Sequence, residues 1–255
     1  MEIALTFSLS NGPPQDLAKP ENLIALQREN RLKTTLPAVI RPDILLTEEG
    51  WFITELDSVP GGIGLTAWLN QVYAESSAEI IGGKTGMTDG FSGIFEGTNN
   101  IHIIVSEESA TYRPEMQWLS TVLGSRFSVR DSNYIDWNSG DAIYRFFELF
   151  DLANVSNAEK IFAGAISSDL LVSPPPKAYL EEKMLLALLW NRNLRDFWQR
   201  ELGSAFFNGM IQHTPQSWVI DPHTIPPHAA IPGLELTDWR QLAEMSQRER
   251  SLVLK

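Results

Sequence analysis

The chain has 255 residues, of which 43% are apolar and 10% aromatic, enough to build a substantial core and well away from the composition of disordered chains. A formal charge of -12 argues against a nucleic-acid binder, which needs Lys and Arg to neutralise phosphates, and the lack of any Cys excludes disulfides, thiolate metal sites and thiol nucleophiles. Neither a signal peptide nor a run of about 18 apolar residues is present, so a cytoplasmic protein that makes no membrane contact is expected.

The lead-in, residues 1–33, carries a Pro-Pro turn at Pro13 and Pro14 and a predicted helix through Leu23, Ile24, Leu26 and Arg31. Next, PAVIRPDILLT and WFITELDS read as two strands of a hairpin around Glu48, Glu49 and Gly50. A three-residue loop with Gly50 left-handed sets Asp43 opposite Glu55 and Arg41 opposite Asp57, all on one face. The other face, with Ile40, Ile44, Leu46, Phe52 and Leu56, is expected to pack on a helix layer, and Pro42 confines its strand to an edge or bulge.

Beyond the glycine loop Val59–Gly64, the run LTAWLNQVYAES predicts a helix, and Gly82–Gly97 a long loop with one short element. IHIIVS reads as a buried strand, followed by a helix over 109–123 and a strand near Phe127–Val129, a β-α-β pattern. The stripe Ile143, Phe146, Phe147 and Phe150 predicts a helix over Asp141–Leu152, and IFAGAIS a short strand. Pro174–Pro176 interrupts regular structure, after which one long helix is expected from about Tyr179 to Leu202, stopped by Gly203. A Pro- and His-rich connection fills Ile211–Gly233. Thr237 and Asp238 cap a short helix with Trp239, Leu242 and Met245, and Ser251–Lys255 reads as a strand. The fold class is α/β, mixed α+β, in three segments: 1–100 with the hairpin, 101–210 as an α/β domain, and 211–255 as a connection opening a further lobe.

Three carboxylates this close destabilise a sheet unless a cation lies among them. Asp and Glu oxygens suit Mg²⁺, whereas zinc prefers His or Cys. The loop from Ser58 through Gly61 and Gly62 is free enough to aim backbone N–H groups at an anion. The plain reading of the same residues is a solvated hairpin end with a surface salt bridge beside a tight turn.

Within RPDILLTEEGWFITELDSVPGG, the residues Arg41, Asp43, Glu55 and Asp57 resemble the metal-site hairpin of circularly permuted ATP-grasp ligases of the glutathionylspermidine synthase type. That resemblance implies an R-x-D and E-x-N pair of motifs, with Asp57 here where Asn is usual. Arg41 then acts on the transferring phosphoryl group, Asp43, Glu55 and Asp57 hold Mg²⁺, and Ser58, Gly61 and Gly62 contact substrate. The closing RSLVLK resembles the first ATP-clamping strand, which makes Lys255 the ATP lysine. The implied chemistry is ATP-dependent activation of a small-molecule carboxylate as an acyl phosphate, then attack by an amine. An ATP-grasp-like fold reaching only the start of the nucleotide-binding lobe is expected to be inactive alone, and the rival expectation is a non-catalytic interaction or scaffold domain that keeps the fold.

Other motifs carry less. Gly82, Gly83, Lys84 and Thr85 lack the leading glycine of a P-loop, Ala78 standing in its place. His223 and His228 sit five apart in a Pro-rich loop, Trp190, Phe197 and Trp198 read as core, and Glu181, Glu182 and Lys183 read as a solvated helix start. No Ser-His-Asp set is visible in the sequence.

Overall fold

The computed structural model describes residues 20–76, 79–220, 230–246, 248 and 252. His223, His228, Lys255 and the terminal strand expected at Ser251–Lys255 lie outside the described residues. The described residues gather into two compact units, one taking those through Asp43 and then those within Glu55–Glu182, the other Ile44–Thr54 and those from Lys183.

The first unit is built on four parallel strands, β3 (Ile101–Val105), β4 (Phe127–Asp131), β5 (Ala142–Phe146) and β6 (Leu171–Ser173), in the spatial order β4-β3-β5-β6. β1 (Arg41–Thr47) and β2 (Gly50–Asp57) form a separate two-stranded sheet. Parallel strands are covered on both faces, which is why β3 and β5 are buried at every position. Ile101, Ile103, Val105, Tyr144 and Phe146 meet α3 (Ile63–Glu75), α4 (Gly86–Gly93) and α5 (Arg113–Leu123) on one face. Ile104, Ile143 and Phe147 meet α6 (Ala158–Ser167) and Leu23 of α1 (Glu21–Arg28) on the other. A four-residue α2 (Asn30–Lys33) follows α1. The fold is thus mixed α/β with a parallel sheet between helices, and no described helix is long and apolar enough to cross a membrane.

Three sequence expectations are corrected here. Asp141–Leu152 is not a helix: it supplies β5 and then a 3₁₀ turn, Leu149–Asn154. Its helical spacing misled because Arg145, a residue that normally marks a solvated face, is wholly buried on the sheet by ion pairing. IFAGAIS forms most of α6, whose Ala158, Ile161 and Phe162 are one buried stripe at helical spacing.

The single helix expected over Tyr179–Leu202 is broken. A 3₁₀ turn (Ala178–Glu181) closes the first unit, and α7 (Met184–Trp190) opens the helical part of the second. A 3₁₀ turn (Arg192–Leu194) separates α7 from α8 (Arg195–Leu202), and α9 (Ser204–Gln212) and α10 (Gln241–Glu244) follow. The break at Asn191 has a local cause: its side chain accepts from the Asn193 N–H at 2.9 Å, offering the backbone a partner outside the helix ladder.

Candidate functional site

The hairpin turns through two residues, Glu48 and Glu49, instead of three, and Gly50 opens β2 with φ +132°. Thr47 fixes the turn, its hydroxyl donating to the Gly50 carbonyl at 3.1 Å and accepting from the Glu49 N–H at 3.2 Å. The apolar face does not pack as expected, since Ile40, Ile44 and Leu46 are exposed, Leu46 at 81%.

At the base of the hairpin, within the first unit, the predicted residues do come together. Arg41 Nε donates to Asp43 Oδ1 at 2.8 Å, Nη2 pairs with Asp57 Oδ2 at 3.2 Å, and Nη1 donates to the Gly61 carbonyl at 2.8 Å. Burial works against the Arg41 charge, but Asp43, Asp57 and Glu55 outweigh it and hold its pKa above the usual value. Burial pushes the Asp57 carboxyl up, with Glu55 and Asp43 adding to the rise, while the Val59 N–H and Arg41 pull it down.

The donor types at this site suit Mg²⁺, but the geometry gives the central place to the guanidinium. Asp57 Oδ1 accepts from the Val59 N–H at 2.8 Å and Oδ2 faces Arg41, so both oxygens are engaged, as is Asp43 Oδ1. Among the described residues, no group of three or more His, Asp or Glu is arranged to hold a metal ion. Arg41 thus places a cation of the chain between Asp43 and Asp57.

The glycine loop is also internally satisfied. Glu115 of α5 accepts from the Gly62 N–H at 2.8 Å and the Leu65 N–H at 3.3 Å, so a carboxylate occupies the anion position at the start of α3. Gly64 makes this possible: a Cβ there would stand 2.5 Å from the Glu115 carbonyl oxygen. Ser58 is buried, and Gly61 and Gly62 face Arg41 and Glu115 respectively.

A second charged cluster lies past the carboxyl end of β5, beside the point where strand order reverses between β3 and β5, the usual ligand crevice of open α/β sheets. Glu181, which the sequence placed on a solvated face, is buried here. Arg145 Nη2 pairs with its Oε1 at 2.6 Å, and the Leu149 N–H donates to its Oε2 at 2.7 Å. Arg145 also donates to the carbonyls of Phe147, Pro174 and Pro175. Burial pushes the Glu148 carboxyl up to about 8, with neighbouring Glu181 and Asp57 adding to the rise. Nearby, the Tyr144 hydroxyl is buried with no hydrogen-bond partner, in the field of Asp57 and Glu115; burial pushes its pKa up. Sequence reasoning missed this cluster. The available signal was Arg145 inside AIYRFF, a cation that a buried strand tolerates only with an acidic partner elsewhere.

The structure does bring a Ser, a His and an Asp into line at the opposite end of the sheet. Ser128 Oγ stands 3.5 Å from His102 Nδ1, and His102 Nε2 3.3 Å from Asp141 Oδ2. Asp141 also accepts from the N–H groups of Asn100 and Asn138, and His102 is 4% exposed beneath Tyr134. Burial lowers the His102 pKa and keeps the ring neutral. With long contacts and an Asp devoted to loop backbone, this array ties loops to the sheet instead of activating a nucleophile.

Comparison of the chain with family models, with curated proteins and with solved structures finds no match in any of the three. The class defined by the fold is a mixed α/β protein, and the function rests on the two clusters alone.

Proposed function

We propose that the chain belongs to an ATP-dependent carboxylate-amine ligase of ATP-grasp type, with the hairpin base as its phosphoryl-handling site. The observation that carries the reading is the convergence of Arg41, Asp43, Glu55 and Asp57 at the root of one hairpin, beside the glycine loop. In this reading Arg41 stabilises charge on the moving phosphoryl group. Asp43, Glu55 and Asp57 are the side chains that would hold Mg²⁺, which neutralises phosphate oxygens when bound. ATP, a small-molecule acid and an amine are the implied ligands. The reading requires Arg41 to exchange its bonds to Asp43 and Asp57 for bonds to phosphate oxygens.

A second reading is favoured by one observation: Asp43 and Asp57 are already paired with Arg41, as expected of an interaction domain that keeps the hairpin without using it. Thermal unfolding with Mg²⁺ and ATP separates the two. A ligand at a hundred times its Kd stabilises by about 2.7 kcal/mol, so a ligase predicts a clear rise in Tm that the double variant Asp43→Asn, Glu55→Gln loses. A wild-type Tm indifferent to Mg²⁺-ATP, or an equal rise in the variant, rejects the ligase.

A further inference from the structure

The second unit holds a cavity of about 310 Å³ that has no role in that reading, with Trp51 and Ile53 of β2 as one wall and a face of α9 as the other. The Trp51 and His213 rings stack, their centroids 3.8 Å apart and their planes 4° apart. Backbone groups hold the pair in place. His213 Nδ1 donates to the Trp51 carbonyl at 3.1 Å, and the Ile53 N–H donates to the His213 carbonyl at 2.7 Å. A flat ring surface is thereby fixed at the cavity wall before any ligand arrives.

The α9 wall is apolar and leaves room. Gly209 stands in the middle of the helix, where glycine is less favourable than Ala, yet a Cβ there would meet nothing within 4 Å. No neighbour crowds the position, and what the missing side chain leaves is space. Ala205, one turn earlier, widens it, while Phe206 and Met210 bound it with a ring and a thioether. Among the described residues, no Asp, Glu, Lys or Arg lines the cavity.

We infer that this cavity binds a neutral, planar aromatic small molecule that packs against the Trp51–His213 stack and covers Gly209. The volume falls at the lower end of the range of about 300 to 1,000 Å³ for small-molecule sites, which suits one fused ring system. Aromatic rings gain from offset or edge-on packing beyond the burial that an aliphatic guest of equal size would share. A carboxylate or phosphate would enter without a cation to pair it. An extended peptide is a poor occupant, because the Trp51 carbonyl and Ile53 N–H through which it would pair with β2 already bond to His213. A second copy is opposed by the repulsion between chains of net charge -12.

Fluorescence titration of the full chain with the neutral probe N-phenylnaphthylamine, without ATP or metal, tests the site. Saturable binding of one probe per chain is expected, displaced by indole but not by cyclohexanol or indoleacetate at equal concentration. Gly209→Leu fills the space and should weaken binding about tenfold or more with helical content kept. Trp68→Leu, which removes an exposed ring of α3, should leave binding unchanged. No saturable binding, equal binding by Gly209→Leu, or equal displacement by cyclohexanol overturns the proposal. Probe affinity that falls as chain concentration rises also overturns it, by giving the cavity to a second copy. Should Gly209→Leu not fold, nuclear Overhauser contacts between the naphthyl protons and the Met210 methyl of the wild type decide: their presence supports the site and their absence overturns it. Neither ATP nor Mg²⁺ enters these readouts, so the aromatic site and the ligase stand or fall separately.

Discussion

Two guanidinium-carboxylate clusters stand in the same unit, one at the hairpin base and one past the end of β5, and they differ chiefly in their access to water. The Arg41 side chain is 42% exposed, with partners Asp43 and Asp57 at 39% and 19%, whereas Arg145 is 0% exposed and Glu181 8%. Bonds of similar length therefore have different consequences. At the hairpin base, water and salt are ready substitutes for any partner that leaves, so the bonds are exchangeable, as a ligand site requires. Around Arg145 no substitute exists, and the cluster serves the fold.

Removing the buried cation is the most severe test of that contrast. Arg145→Leu leaves Glu181 charged and unpaired in the interior and frees the carbonyls of Phe147, Pro174 and Pro175. Loss of one partner of a buried pair costs about 3 to 5 kcal/mol. Urea denaturation should show that loss directly, and a loss under about 1 kcal/mol would place the two clusters in the same class.

The contrast also explains what was legible beforehand. The hairpin acids were readable because sequence-local strands alternate faces, so Arg41 with Asp43, and Glu55 with Asp57, share a face wherever the turn falls. The turn is two residues where three are expected, and Arg41 still pairs with Asp57. The parallel strand Ile101–Val105 was readable from its unbroken apolar run. Its neighbour Ala142–Phe146 was not, because Arg145 interrupts the run and its partner Glu181 is 36 residues away. A long-range ion pair leaves no periodicity in the sequence. The same limit hid Glu115, whose role at the start of α3 depends on a contact 53 residues distant.

Glu115 falls between the two extremes and sharpens the comparison. It is half-buried, and its carboxylate satisfies two N–H groups at the positive end of α3. Glu115→Ala should cost about 1 to 2 kcal/mol in urea denaturation, the range of lost helix caps. Gln retains an acceptor but no charge, so Glu115→Gln should recover part of that loss. A full loss with Gln would assign the effect to charge alone, and none with Ala would mean that water replaces the carboxylate.

The smallest effect is expected where the chemistry is proposed. Arg41→Gln removes a guanidinium bound to Asp43, Asp57 and the Gly61 carbonyl, all in reach of solvent, and exposed pairs contribute about 0 to 1 kcal/mol. Without the cation, Asp43, Glu55 and Asp57 repel one another, and that repulsion weakens as salt shortens the screening length from about 8 Å at physiological ionic strength to about 3 Å at 1 M. The difference between wild type and variant should therefore shrink with salt, whereas the Arg145→Leu loss should persist because its site is shut off from ions. A salt-independent loss of about 2 kcal/mol or more for Arg41→Gln would mean that Arg41 is fixed as a structural cation. It would then be unable to turn toward a phosphoryl group, and the hairpin base would lose its claim to be a ligand site.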